Sequence, residues 1–345
     1  MLKSTKFLST VLMTAGIAAL VSQPVAAVDF YAGKQMKITI GYGFGGTYGK
    51  YSRLFSEHMP RHIPGNPTIV VESRPGAGGM KAMNYAANVM RNDGLNMFVP
   101  LDGGVVAQLL FAKKVKFDMS KFISLGSANQ TNVILVLRSD TGITKWDQLK
   151  NNKVILGATG LASTGYMFPK LANGMLNTKL KVITGYKGSS KTGLAVEQGE
   201  VKGAAFNWLF WRSKYERWFK GDKPHARAIL QIGLEADPDL PNVPMVTELV
   251  SAENKPIADF FAVTGLLGRG LAVPAGTPMD KVKILRTAFD NMVVDPVFIA
   301  DVKKRKLRVI ATKGEAIQKV IADALSGANP AVVAKAQEYI NAKID

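Results

Sequence analysis

The stretch from Met36 to Arg53, reading M-K-I-T-I-G-Y-G-F-G-G-T-Y-G-K-Y-S-R, constrains this chain more than any other. Lys37 to Ile40 alternate polar and β-branched residues as a strand does, and the glycines that follow permit the positive φ angles of a tight turn. From Tyr48 the spacing becomes helical. A strand that feeds a glycine turn and then a helix leaves unpaired backbone N–H groups at the helix start, with the positive end of the helix dipole behind them. Such a start is a built-in anion site. A second unit of the same design runs from Lys153 to Leu171, K-V-I-L-G-A-T-G-L-A-S-T-G-Y-M-F-P-K-L. The two starts are expected in different domains, facing each other across a cleft.

The rest of the chain supports an α/β fold. Strands are expected at Thr68 to Glu72 and at Leu95 to Leu101, the latter ending in Asp102-Gly103-Gly104, with a helix between them after Arg74-Pro-Gly-Ala-Gly-Gly79. Alternation of strand and helix at this spacing argues a parallel sheet with helices on its faces, where ligands collect at the carboxyl ends of the strands. Ile123 to Ala128 and Asn132 to Leu137 read as strands on either side of a domain boundary. Strands at Leu180 to Ile183 and Gly203 to Phe206 repeat the order of the first half, the second ending at Asn207-Trp208. A strand from Ala226 to Ile232 carries the chain back. The expected division is 28–131 plus 229–345 for one domain and 132–228 for the other, with hinges near residues 130 and 230. Toward the end, Gly268 to Val273 is a strand. Helix starts are expected at Thr277-Pro278, Asp295-Pro296, Thr312 with Glu315, and Asn329-Pro330, and earlier at Thr144 with Asp147. This last region is expected to pack on the first domain.

Residues 1–27 carry Lys3 and Lys6, an apolar run from Val11 to Val21, and Pro24-Val25-Ala26-Ala27, the pattern of an export signal cut after Ala27. The run is too short to span a bilayer comfortably, and no later segment approaches ~18 uninterrupted apolar residues. A periplasmic or secreted protein without a membrane anchor is expected. The absence of cysteine excludes disulfides, thiolate metal sites and a cysteine nucleophile. The formal charge of +18, or +16 without the two leader lysines, favours anionic partners. Nucleic acid is not among those expected, since no surface interleaves aromatic and basic residues for base stacking. The densest basic run, Lys303 to Lys306, reads as a solvated helix end.

Catalytic motifs do not assemble. Gly41-Tyr-Gly43-Phe-Gly-Gly46 matches G-x-G-x-x-G after a strand, with Glu72 where a ribose-binding acid would sit, so a dinucleotide-dependent oxidoreductase is the rival enzyme reading. Export argues against it. The phosphate-loop pattern fails because Tyr51 follows Gly49-Lys50, and Lys191-Thr192-Gly193 has no S-x-x-K partner. His58 and His62 have metal-ligand spacing, but Pro60 separates them and no third ligand is near in sequence, so surface positions are expected and no metal or cofactor is assigned. Trp211, Tyr215 and Trp218 are spaced for packing, whereas Trp208, following a strand end beside Asn207, is a candidate cleft wall.

Taken in order, Gly45-Gly46 with Arg53, Val70-Val-Glu-Ser-Arg-Pro-Gly-Ala-Gly-Gly79, Tyr186-Lys-Gly188, Leu240-Pro-Asn-Val-Pro244 with Glu248, and Pro274-Ala-Gly-Thr-Pro278 resemble the solute-binding proteins of tripartite tricarboxylate transporters. The resemblance implies a two-domain periplasmic binding protein of Venus-flytrap, type II-like form that closes over a carboxylate and delivers it to a membrane permease. A related exported sensor for a carboxylate signal is the alternative. Ligand contacts are then expected from backbone and side chains at Phe44, Gly45, Gly46, Thr47, Tyr48 and Gly49, at Asp102 and Gly103, at Thr159, Gly160, Ala162, Ser163 and Thr164, and at Asn207 and Trp208, with Ser163 offering its hydroxyl. The family usually carries an aspartate where this chain has Gly49, followed by Lys50. That removes a partner for an ammonium group and points to a non-amino organic acid, aromatic acids included.

Overall fold

A computed structural model describes residues 30–343; the expected leader lies outside them. The first sheet begins with β1 (Gln35–Ile40), whose Met36, Ile38 and Ile40 are buried while Gln35 and Lys37 are exposed. The glycine turn then opens α1 (Thr47–His58), which buries Tyr51, Leu54 and Phe55. β2 (Thr68–Ser73), α2 (Met80–Asn88), β3 (Asn96–Phe98), α3 (Gly104–Leu110) and β4 (Ile123–Ser127) follow. The chain crosses at residues 128–132 into a second sheet. That sheet comprises β5 (Val133–Arg138), β6 (Val154–Ala158), α4 (Thr164–Leu176), β7 (Leu180–Thr184), α5 (Ser189–Gln198), β8 (Gly203–Asn207), α6 (Trp208–Tyr215) and β9 (Ala226–Ile232) with their helices. Through a loop, a short turn and α7 (Lys255–Ala262) the chain returns to the first sheet as β10 (Gly270–Val273). It then forms α8 (Met279–Val294), α9 (Pro296–Lys304), β11 (Thr312–Lys313), α10 (Gly314–Ser326) and α11 (Pro330–Asn341).

The two sheets run β11-β4-β10-β3-β1-β2 and β7-β6-β8-β5-β9. β1 is parallel to β2 and β3, and β6 is parallel to β7 and β8, as strand–helix alternation requires. The returning strands β5, β9 and β10 pair antiparallel. Both sheets are therefore mixed, each with a parallel strand–turn–helix unit whose carboxyl ends meet at the seam between two lobes. Strand β9 belongs wholly to the second sheet, pairing with β5 from Ala226 to Ile232, so the expected boundary at residue 228 falls inside a strand.

Three local expectations shift. Thr277 does not cap α8: its hydroxyl donates to the Pro274 carbonyl, and Pro278 is the N-cap. Thr312 is in β11, and Glu315 pairs with Arg286 instead of closing a box. Near Thr144 there is a single tight turn at Trp146–Lys150, where the Gln148 side chain accepts the Thr144 and Lys145 N–H groups. The caps at Asp295 and Asn329 form as expected, accepting from Val297 and Ala331. The end of the chain does not rest on the first lobe alone. Helix α11 packs on α4 of the second, with Tyr339 over Gly174 and its hydroxyl donating to Asn254.

The aromatic run is core. Phe210, Trp211, Tyr215 and Trp218 pack with Ile134, Val136 and Ala204 against the outer face of the second sheet. Of the histidines expected on the surface, His58 is buried, bonded to Asp301 at 3.0 Å and stacked edge-on to Phe298. Glu57, His58 and Asp301 converge, but the Arg305 guanidinium already bridges Glu57 and Asp301. Among the described residues no helix is long and apolar enough to cross a membrane.

The lobes are closed on one another, and at the two glycine turns their contact is backbone on backbone. Gly43 N–H donates to the Lys187 carbonyl at 3.0 Å. A Cβ on Gly78 would stand 2.6 Å from the Ser163 nitrogen, and one on Gly160 would strike the Gly78 nitrogen. Both glycines have positive φ, at 70° and 152°, so only glycine lets the two turns touch. Beside them, Lys50 of α1 reaches across to Ser213, donating to its hydroxyl at 2.8 Å and its carbonyl at 3.2 Å. Burial, reinforced by nearby Lys214, lowers the Lys50 ammonium from 10.5 to about 8. The folded protein therefore releases this proton more readily than the unfolded chain, and stability from this group rises with pH between those values. Lys50→Met is expected to be more stable than the parent below pH 8, with the advantage fading as pH rises toward 10.5. Thermal melts of both proteins from pH 7 to 10 read this directly, and a constant difference would refute the assignment.

Candidate functional site

A cavity of about 30 Å³ lies on the seam and is lined from both lobes, by Gly46, Thr47, Tyr48 and Asp102 on one side and Thr159, Ser163, Thr164 and Asn207 on the other. Each lobe presents the start of a long helix. Gly46 is the N-cap of α1 and Ser163 that of α4, and neither helix has a side-chain cap. The first N–H groups of each helix thus have no intrahelical partner, and Thr47, Tyr48 and Thr164 of these first turns line the cavity with the dipole behind them. The local cause is the same in both: a β-strand, a glycine turn too tight for side chains, then a helix.

Hydroxyls complete the lining. Thr47 Oγ1 accepts from Asn207 Nδ2 at 2.9 Å and from Arg269 Nε at 3.1 Å, so its own proton is what it can offer. Asn207 Oδ1 meanwhile accepts the Phe210 N–H and caps α6. Thr159 Oγ1 is buried beside the Tyr42 phenol, with no partner at good hydrogen-bond geometry among the described residues. A buried unpaired hydroxyl is costly, and this one lines the cavity. The Ser163 hydroxyl, expected to face a ligand, donates instead to the Gly160 carbonyl at 2.7 Å, leaving its helix-start position as its contribution.

The floor is an ion pair between Arg269, 2% exposed, and Asp102 at 2.9 Å. Arg269 lies face-on to the Tyr48 ring, 3.8 Å from its centroid, and its backbone N–H donates to Asn129 Oδ1. Burial acts to lower the guanidinium pKa, but Tyr48 and Asp102 carry it above its ordinary value, so Arg269 stays charged. Asp102 is fully engaged: Oδ1 accepts from the Gly103 N–H and the Tyr48 hydroxyl, Oδ2 from Arg269. Desolvation raises the phenols of Tyr48 and Tyr42 well above their ordinary range, so both remain neutral donors, Tyr42 to the Gly78 carbonyl.

Of the residues expected from sequence, Gly46, Thr47, Tyr48, Asp102, Thr159, Ser163, Thr164 and Asn207 come together at this cavity. The others do not line it. Phe44 is at the surface under Arg53, and Gly49 packs on the Phe44 backbone. Gly45 faces Ser190, Gly103 faces Met167, and Gly160 faces Gly78; Ala162 is buried. Trp208 is not a cleft wall: its indole N–H donates to Asp239 at 2.8 Å and its ring packs edge-on to Phe219. Sequence reading missed Tyr42, Ser189, Phe206 and Arg269. Tyr42 lies within the glycine turn and Phe206 at a strand end, both positions that signal a site. Ser189 opens α5 after Gly188, again a helix start that follows a strand and a glycine, whereas Arg269 reaches the cavity through tertiary contacts that no local pattern carries. The acid of the rival dinucleotide reading, Glu72, is occupied by Thr39 and Arg74.

Over residues 53–336 the chain matches the family described as the tripartite tricarboxylate transporter family receptor. No curated protein matches it. It is similar in fold to several solved structures. The periplasmic binding protein BugD is 18% identical with a TM-score of 0.71, over 90% of this chain and 98% of that one. MatC from Rhodopseudomonas palustris, solved with bound malate, is 16% identical at 0.69, over 89% and 99% of the two chains. R. palustris Rpa4515 with adipate is 16% identical at 0.68, over 88% and 97%. The fold is thus the two-lobed one of periplasmic binding proteins.

Removing one member of the floor pair strands a buried charge. Arg269→Met is expected to cost about 3–5 kcal/mol of stability, and Arg269→Met with Asp102→Asn to recover much of it. Urea unfolding of the two variants and the parent measures this; additive losses would show that the pair is not coupled.

Proposed function

Because this chain belongs to the tripartite tricarboxylate transporter receptor family, we propose that it captures a small organic carboxylate lacking an amino group and delivers it to the family's membrane permease. It is a solute-binding receptor and not an enzyme. The observation that carries the ligand class is the pair of uncapped helix starts sharing one cavity with the unpartnered Thr159 hydroxyl. A carboxylate there would accept from the α1 and α4 N–H groups and from Thr47 and Thr159. An ammonium would find no acceptor of its own, since Asp102, the acid at the cavity, is already held by Arg269, Tyr48 and Gly103. The bound malate and adipate of the two R. palustris neighbours are non-amino dicarboxylates, which supports the same class. Tyr42, Tyr48 and Phe206 supply apolar and aromatic walls for the carbon skeleton.

In this reading binding is hinge closure about the crossovers near residues 130 and 233–269, with the grip made only when the lobes meet. The leader at residues 1–27 would place the protein in the periplasm.

Two measurements test the reading. In a thermal-shift screen of mono-, di- and tricarboxylic and aromatic acids, at least one non-amino acid at ~100 times its Kd should add about 2.7 kcal/mol, a rise of several degrees. Each acid is paired with its amino counterpart, succinate with aspartate for instance; larger shifts from the amino partners would overturn the proposal. Thr159→Val, which replaces an unsatisfied hydroxyl by a methyl group, should leave the unliganded protein as stable or more so. It should weaken the best ligand by ~5–10-fold, about 1–1.5 kcal/mol. Unchanged affinity by calorimetry would remove Thr159 from the site.

A further inference from the structure

Beside the cleft cavity, and separated from it by the contact of Gly45 and Gly46 with Ser190 and Ser189, a basin of about 820 Å³ opens on the seam. Its cationic lining comes from both lobes: Lys191, Lys214, Arg217 and Lys220 from the second, Lys306 from the first. Lys50 of the first lobe abuts it through Ser213. Among the described residues neither Lys50 nor Lys214 has a carboxylate within 4 Å; Lys50 is held by Ser213 and Lys214 by the Ser190 hydroxyl at 2.9 Å. Glu216, on the same rim, is already engaged by Lys220 and Lys306. Burial lowers the Lys214 ammonium; the remaining acid, Glu197, partly offsets this, and Lys191 adds to it. Helix α5 also starts here, with Gly188 as N-cap, no side-chain cap and Ser190 in its first turn.

We propose that this basin is a second anion site, formed only in the closed state, for a small multivalent oxyanion of the phosphate type bridging Lys50 and Lys214. Closure brings two ammonium groups from opposite lobes to one place with only neutral oxygens as partners. Like charges so arranged oppose closure unless an anion lies between them. Such an anion would accept from both lysines, from the Ser190 hydroxyl and from the open N–H groups of α5. Burial first, and then the neighbouring Lys214, depress the Lys50 ammonium, in keeping with a cation that has no carboxylate partner here. Since the site is divided between the lobes, its occupant stabilises the closed form. By linkage it must then tighten binding in the cleft by the factor by which the cleft ligand tightens it. The inference concerns the seam and stands whether or not the cleft ligand is of the class proposed above.

Titration of the full chain with inorganic phosphate, by calorimetry at low ionic strength and without carboxylate, tests it. Millimolar or tighter binding is expected, weakened at least ten-fold by Lys50→Met and by Lys214→Met and unaffected by Thr159→Val. A loss with Thr159→Val and none with the lysine variants would put phosphate in the cleft and overturn the proposal. So would the absence of binding by the parent protein. Adding the best cleft ligand should then sharpen phosphate binding; competition between the two would show that they share one site and equally refute it.

Discussion

The closed structure depends on a buried guanidinium, Arg269, whose Nε and Nη1 are held by the protein at the cavity floor. Arg269 is fixed by Asp102, Thr47, the Gly268 carbonyl and the face of Tyr48, and its own N–H is tied to Asn129 in the first crossover. It follows directly on the segment that returns from the second lobe. One residue, through its side chain and its backbone N–H together, therefore links the site floor to both hinge segments, and a buried pair of this kind holds geometry better than it adds stability. Because Asp102 cancels its charge, the floor is close to neutral overall. The attraction for an anion then rests on helix ends and hydroxyls, which present partial charges in fixed directions, and on the Nη2 group of Arg269, which no side chain or carbonyl of the described residues engages.

That division explains why the seam is built from glycine. For two helix starts to share one small anion, the turns that precede them must approach until their backbones touch, as Gly78 does Ser163 and Gly43 does Lys187 and Gly188. A Cβ on Gly78 or Gly160 would clash with the opposite turn and hold the lobes apart. The polar crossings, Asn207 to Thr47 and Lys50 to Ser213, exist only when the turns are in contact. Little apolar surface joins the lobes at this point, so opening exposes mainly polar groups to water, which a hinge that must cycle requires.

Much of this was legible in the sequence because it is local. A strand, a glycine turn and a helix start are written within eighteen residues, and both such units, with Asp102 and Asn207 at the ends of neighbouring strands, fell where the pattern put them. The failures have a common cause. Thr277 and Thr312 look like caps, but a hydroxyl turns to whichever partner tertiary structure supplies, the Pro274 carbonyl in the first case. Trp208 stands at a strand end, yet Asp239 lies thirty-one residues later in the chain, and that contact turns the indole away from the cleft. Arg269 was invisible for the same reason: its partners are 140, 167 and 222 residues distant. Helix α11 reads as an ordinary amphipathic helix, and nothing local says that Gly174 of the other lobe leaves the room for Tyr339.

The distribution of charge completes the physical picture. Of 44 basic residues against 26 acidic, the cleft cavity holds one of each, paired. The excess lies outside it, on the seam rim and the surface. A field summed over many exposed cations acts at a distance of about a Debye length, ~8–10 Å in ordinary salt, and concentrates any anion regardless of shape. The cavity acts at hydrogen-bond distance and discriminates by where its donors point. In the proposed reading attraction and selection are thus carried by different residues, so substitutions of surface lysines would alter capture rate and its salt dependence, while the identity of what is kept would rest with the two turns and the threonines between them.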